Sequence, residues 1–184
     1  MSYLQNHFLI AMPTMEDGFF SRSVIYLCEH NAKGAMGLTL TVPLDMDLYE
    51  LLTKMELTDV SPELRELPVL AGGPVNTDRG FVLHSPKPGL HSSLQLTDEL
   101  MITTSLDVLH TLGTEQAPER FIITLGYAGW DAGQLEQELL DNSWLTLPAT
   151  PELIFNVPWS ERWLAATQAM GLDIWRVAPQ AGHA

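Results

Sequence analysis

Cys28-Glu29-His30 sets the chain's single cysteine two residues before a histidine, at the end of the apolar run 24–27. A thiol beside an imidazole is the raw material of a cysteine nucleophile, because the thiolate reacts and a neighbouring base can generate it. The spacing works against that chemistry. On a strand, residues i and i+2 share a face, which predicts Val24, Tyr26, Cys28 and His30 on one side and Ile25, Leu27 and Glu29 on the other. Cys28 and His30 then stand roughly 6 to 7 Å apart along the strand, whereas a thiolate–imidazole contact needs about 3 Å. Cys28 therefore reads as a packed strand cysteine with a raised pKa, and His30 as a group that bonds backbone near the Asn31 turn. His84, closing "RGFVLH", would approach His30 if their strands were neighbours. Two imidazoles and a thiol would supply three of zinc's four ligands, yet no C-x-x-C or H-x-x-x-H accompanies them. The expectation is no metal and no cofactor.

Two glycine-rich stretches are the next candidates. "LGYAGWDAGQLEQELL" reads as a buried strand leaving through a loop with Gly126, Gly129 and Gly133 and entering a helix. Amides at such a helix start attract anions, but the spacing matches no phosphate-binding motif, and Asp131 already complements the helix dipole. "AGGPVNTDRG" reads as a tight turn at Gly72, Gly73 and Pro74, followed by an Asp78–Arg79 pair in which Arg79 could hold a carboxylate or phosphate. Serine, histidine and aspartate all occur, without the G-x-S-x-G elbow of a hydrolase. The candidate ligand pocket is Cys28, His30, Gly34, Gly73, Arg79, His84, Gly129 and Gln134. None of these is assigned a catalytic role.

The elements that must position these residues alternate between extended and helical patterns. "SVIYLCEH", "MGLTLTV", "VLAGGP", "RGFVLHS", "LMITTS", "RFIITLGY" and "SWLTLPA" read as strands. "DLYELLTKM" has helical apolar spacing behind the capping candidate Asp47. "SPELRELP" reads as a polar connector, and "SLDVLHTLG" as a short helix closed by Gly113. "QLEQELLDN" is a helix with Leu135, Leu139 and Leu140 inward, and "PWSERWLAATQAMG" one with Trp159, Trp163, Ala166 and Met170 on one side. The pattern predicts an α/β fold over residues 1–184 as one domain: a mixed sheet flanked by helices in layers, with room for a smaller α+β lobe.

Composition narrows the partners. The chain has 184 residues, 9 Lys and Arg against 23 Asp and Glu, and a formal net charge of -14, which repels nucleic acid and anionic membranes. The nine cations are scattered singly, and no basic recognition helix stands out, so no direct nucleic-acid binding is expected. One cysteine asks for no oxidising compartment. The first residues lack the features of a signal peptide and no apolar run is long enough to span a membrane, so a cytoplasmic protein with no membrane association is expected.

"HFLIAMP", "SVIYLCEHNAKGAMGL", "GGPV", "RGFVLH", "LGYAGWDAGQLEQEL" and "NSWL", in that order from residue 7 to residue 145, resemble the YqgE/AlgH family of bacterial proteins. The resemblance implies a compact α/β fold and a cytoplasmic bacterial protein. It also brings the label of transcriptional regulator, which describes an effect on expression and specifies no chemistry. Relatives usually carry an Asn and a basic residue after "GAMGL", where this chain has Thr41 and Val42 before Pro43. The expected role is binding or regulation, acting indirectly on gene expression through a protein partner or small ligand. The rivals are an enzyme built around Cys28, His30 and His84 or the Gly129 loop, and a direct DNA-binding regulator.

Overall fold

The protein is described by a computed structural model over residues 3–14, 20–57, 60–90, 93–104, 106–112 and 114–171. Its first half supplies strands β1 (His7–Ala11), β2 (Val24–Asn31), β3 (Gly34–Thr39) and β4 (Pro43–Asp47). Asp47 accepts a hydrogen bond from the Glu50 amide at 2.8 Å and starts α1 (Leu48–Lys54), as the spacing predicts. The polar connector closes into a 3-10 turn (Pro62–Glu66) behind Ser61, before β5 (Pro68–Ala71) and β6 (Val75–His84). Next come β7 (Ser93–Thr97), β8 (Leu100–Thr103) and α2 (Leu106–Thr111), whose expected stop at Gly113 lies outside the described residues. The remainder is β9 (Phe121–Asp131), α3 (Gln134–Leu140), β10 (Trp144–Pro148), a π-helical turn (Glu152–Asn156), a 3-10 turn (Trp159–Glu161) and α4 (Arg162–Ala169).

The strands form one sheet in the order β10-β1-β2-β3-β9-β6-β8-β7, with β5 on β9 and β4 on β5. Only β5–β9 pairs in parallel; the other described pairings are antiparallel. The expectation of stacked α/β layers is corrected here. Two-residue links join β2 to β3 and β7 to β8, and such links allow only antiparallel neighbours. The sheet is a curled half-barrel. One core spans it, from Phe8 and Ile10 on β1 to Leu83 on β6 and Ile102 on β8, and is closed by Ile154, Trp163 and Ala166. The opposite face carries two more cores. Leu135 of α3 packs on Leu9, Ile25 and Leu27, while Leu48, Leu64 and Val108 pack on Val82 and Ile123. The α1 region shares strands β6 and β9 with the rest of the sheet.

"GGP" is a crossing rather than a tight turn. β5 lies on one edge of β9 and β6 on the other, so the three-residue link passes over the β9 backbone at Gly126 and Tyr127. A Cβ on Gly73 would land on the Tyr127 carbonyl, and one on Gly126 would land on the Gly73 carbonyl oxygen. Only glycine lets two backbones approach this closely, and Gly126 also needs it for φ +81°.

Candidate functional site

β2 does not keep its alternation to the end. Leu27 pairs with Gly37 and Glu29 with Met36, leaving Cys28 as the extra residue of a β-bulge. Cys28 packs against the same core as Tyr26, whereas His30 faces α3 on the opposite side. The expectation that Cys28 and His30 share a face is thus overturned by the bulge. Burial pushes the Cys28 thiol up to about 12, and the neighbouring Glu29 carboxylate adds to the rise. Such a thiol is protonated and inert at neutral pH.

His30 is buried, and its Nδ1 accepts the Leu4 amide at 2.9 Å. With Nδ1 accepting, the ring N–H is on Nε2, which lies 3.4 Å from Glu136 Oε2. The backbone partner is Leu4, not the Asn31 turn. His84 is fully buried elsewhere. Its Nδ1 donates to the Ser85 carbonyl at 2.7 Å, so Nε2 accepts the Thr103 hydroxyl at 2.7 Å, and Ser93 lies 2.6 Å from Thr103 Oγ1. Burial lowers the His84 pKa, partly offset by the Ser85 carbonyl, which keeps the ring neutral. The two histidines are not neighbours. β3 and β9 separate their strands, and they align with Trp130 and Phe121 at opposite ends of β9, roughly 30 Å apart at about 3.3 Å per residue. Among the described residues no three His, Cys, Asp or Glu side chains group as a metal site.

The Gly129 loop is also corrected. Residues 128–131 continue β9 and pair with β3, so Gly129 sits opposite Met36 with its backbone in the ladder. α3 has only seven residues, and the Asp131 amide is taken by Gln134 Oε1 at 3.0 Å. Gln134 also donates to Glu138 Oε2 at 3.0 Å. Glu138 Oε1 accepts both the Trp130 and Trp144 indole N–H groups, at 3.0 and 2.9 Å, which ties α3 to β9 and β10.

What the fold does assemble is a cleft of about 570 Å³ between the β2–β3 hairpin and the first half of β6. It opens because β6 leaves its partner. Five residue steps from Val75 to Gly80 run against two on β9, so residues 76–79 bow outward, with Asn76 at φ +46°. The bow carries Arg79 to the rim, its guanidinium 5.6 Å from the centre of the Phe81 ring. Lys33 faces it from the hairpin, where Asn31 Oδ1 accepts the Lys33 amide at 2.8 Å and Asn31 Nδ2 donates to Glu29 at 3.0 Å. Glu29 and Asp131 complete a mixed-charge rim, and Met36, Phe81 and Tyr127 form an apolar floor. Gly34 stands at the hairpin with φ +139°, where a Cβ would land on the Trp130 carbonyl oxygen.

Of the eight candidates, the cleft unites Gly34, Arg79 and Gly129. Cys28, His30, Gly73, His84 and Gln134 lie outside its lining. No ion pair joins Asp78 to Arg79 among the described residues. Sequence reasoning missed Lys33, Glu29, Tyr127 and Asp131 as cleft residues, although "EHNAKG" and "YAGWD" both fall within the phrases that carry the family resemblance. It also missed Arg162, which is 5% exposed. The Arg162 guanidinium donates to the carbonyls of Leu40 and Ile154 at 2.6 and 2.7 Å, and burial lowers its pKa to about 10.

Residues 8–175 match the AlgH-like family. The chain belongs to that family. A UPF0301 protein of Shewanella woodyi is 56% identical over 186 residues, and one of Pseudoalteromonas translucida is 57% identical over 185, each match covering the whole of both chains. The solution structure of the AlgH protein from Pseudomonas aeruginosa aligns with a TM-score of 0.81 at 47% identity, covering 100% of this chain and 97% of that one. A crystal structure of a Corynebacterium diphtheriae protein, at 22% identity and a TM-score of 0.75, covers 95% of this chain and 91% of its own and shares the fold alone. The motif phrases, from residue 7 to residue 145, fall almost entirely within the AlgH-like match. No helix among the described residues of this AlgH-like protein is long and apolar enough to cross a membrane.

Proposed function

We propose that this protein binds a small zwitterionic ligand or short peptide in the Lys33–Arg79 cleft, and that any effect on gene expression passes through that ligand or a protein partner. The observation that carries this is the rim. Two of the chain's nine cations meet there with Glu29 and Asp131 over an apolar floor, in a volume suited to a small molecule. Balanced rim charge favours a ligand with both signs over a polyanion. An enzyme around Cys28, His30 and His84 is disfavoured, because the thiol is protonated and the two imidazoles are committed at opposite ends of β9. Direct DNA binding is disfavoured by a net charge of -14 and by the acidic neighbours of Lys33 and Arg79. A thermal-shift screen of amino acids, dipeptides and their derivatives tests the proposal, with promoter DNA tested alongside by fluorescence anisotropy across a salt series. At least one zwitterion should raise Tm in the parent protein but not in a Lys33→Ala/Arg79→Ala variant. Submicromolar DNA binding that weakens steeply with salt would overturn it.

A further inference from the structure

A second cleft, of about 420 Å³, lies between the Leu67–Pro68 link, the first three residues of β9 and the segment before α4. Most of its lining side chains are apolar, among them Leu70, Phe121, Ile123, Phe155 and Trp159, with Asn156 a neutral polar neighbour. Among the described residues that line it, Arg162 is the one basic residue and Glu66, at the exposed edge, the one acidic residue.

Among the described residues, Arg162 is a buried cation without an anion. Among the described residues its two hydrogen bonds go to neutral carbonyls, its Nε is buried without a partner, and no carboxylate lies within 4 Å of it. A guanidinium offers five N–H donors in a planar fork that matches a carboxylate, and an unpaired buried charge is costly. If Arg162 served only to pin α4 to Leu40 and Ile154, a neutral donor would do that without the charge. The position of this cation at the side of an apolar cleft gives the charge a use.

We propose that this cleft binds an apolar monocarboxylate, its hydrocarbon body among Phe121, Phe155 and Trp159 and its carboxylate on the Arg162 guanidinium. One cation lines the cleft and Glu66 stands at its edge, so a singly charged head suits it better than a phosphate dianion. This site is separate from the Lys33–Arg79 cleft, and neither reading depends on the other.

Octanoate and octanamide are matched probes that differ in head-group charge, and NMR of the intact protein reports on both. Octanoate should shift the Arg162 Nε–H signal together with the amides of Ile122, Phe155 and Val157. Octanamide should bind at least tenfold more weakly and leave that Nε–H unmoved. Arg162→Gln should lose octanoate binding at least tenfold if it folds. Glu66→Gln, at an exposed residue, should strengthen binding two- to threefold whether or not the first variant is usable. Equal affinity for the two probes, or octanoate binding that leaves the Arg162 Nε–H in place, would overturn the proposal.

Discussion

The two ends of β9 handle polar groups in opposite ways. At the Phe121 end, Ser93, Thr103, His84 and the Ser85 carbonyl form a closed chain, each group taken by the next inside the sheet. At the Asp131 end, Lys33 and Arg79 stand exposed at the rim of an open cleft, with Glu29 and Asp131 beside them. A buried hydroxyl–imidazole contact of 2.7 Å looks like a nucleophile and its base, but here it clamps β6 to β8. The lesson is that reactive residue types mark a site only where their valences are left for something else. β9 carries the fold at one end and offers a surface at the other.

The largest effect expected of a single change is at the crossing between those ends. Gly73→Ala forces a Cβ into the Tyr127 backbone and should cost about 3 kcal/mol or more, or prevent folding, in urea denaturation. Gly129→Ala is the control. Its Cβ would meet Tyr127 at an ordinary 3.5 Å, so its stability should change by less than about 0.5 kcal/mol. Equal losses at the two glycines would remove the crossing as the reason for "GGP".

Thr103→Val opens the closed chain and leaves His84 Nε2 without its donor, which should cost about 1 to 3 kcal/mol. The same site predicts a pH dependence. Burial holds the folded His84 pKa below its unfolded value, near 6.5. Below that value the unfolded chain binds a proton that the folded chain refuses, so this stability is full above about 6.5 and lost as pH falls toward the folded pKa. Urea midpoints between pH 7 and 5 should fall more steeply for the parent protein than for His84→Gln. A matching slope would place the titration elsewhere. The smallest change expected is at Cys28, which should react slowly with iodoacetamide in the native protein and fast once denatured, as mass spectrometry can follow. Native labelling faster than that of free cysteine would restore the enzyme reading.

Much of the local structure was legible in the sequence. Asp47 capped the helix its spacing announced, and the apolar runs at 24–27 and 121–125 became parts of strands. What failed was non-local. The alternation of "VIYLCEH" continues through Cys28, so nothing in it shows the bulge that turns His30 to the other face. "GGP" has the composition of a turn, and only the position of β9 makes it a crossing. Trp159 follows helical spacing with Trp163 but sits 37% exposed in the preceding 3-10 turn, because Pro158 delays the helix to Arg162. For the site, Arg79 and Gly34 were found by type, whereas Lys33 and Asp131 join them only through the β3–β9 pairing.

The most direct test of the contrast compares one variant from each end of β9 for both stability and binding. With a zwitterion that raises Tm in the parent protein, Kd is measured by calorimetry for Arg79→Ala and Thr103→Val. The account predicts that Arg79→Ala loses at least tenfold in affinity with little change in Tm, a coupling of about 1.4 kcal/mol or more. Thr103→Val should lose Tm and keep its affinity within about twofold, about 0.4 kcal/mol. Affinity lost in Thr103→Val and kept in Arg79→Ala would contradict the account, placing the ligand at the end of β9 that it assigns to the fold.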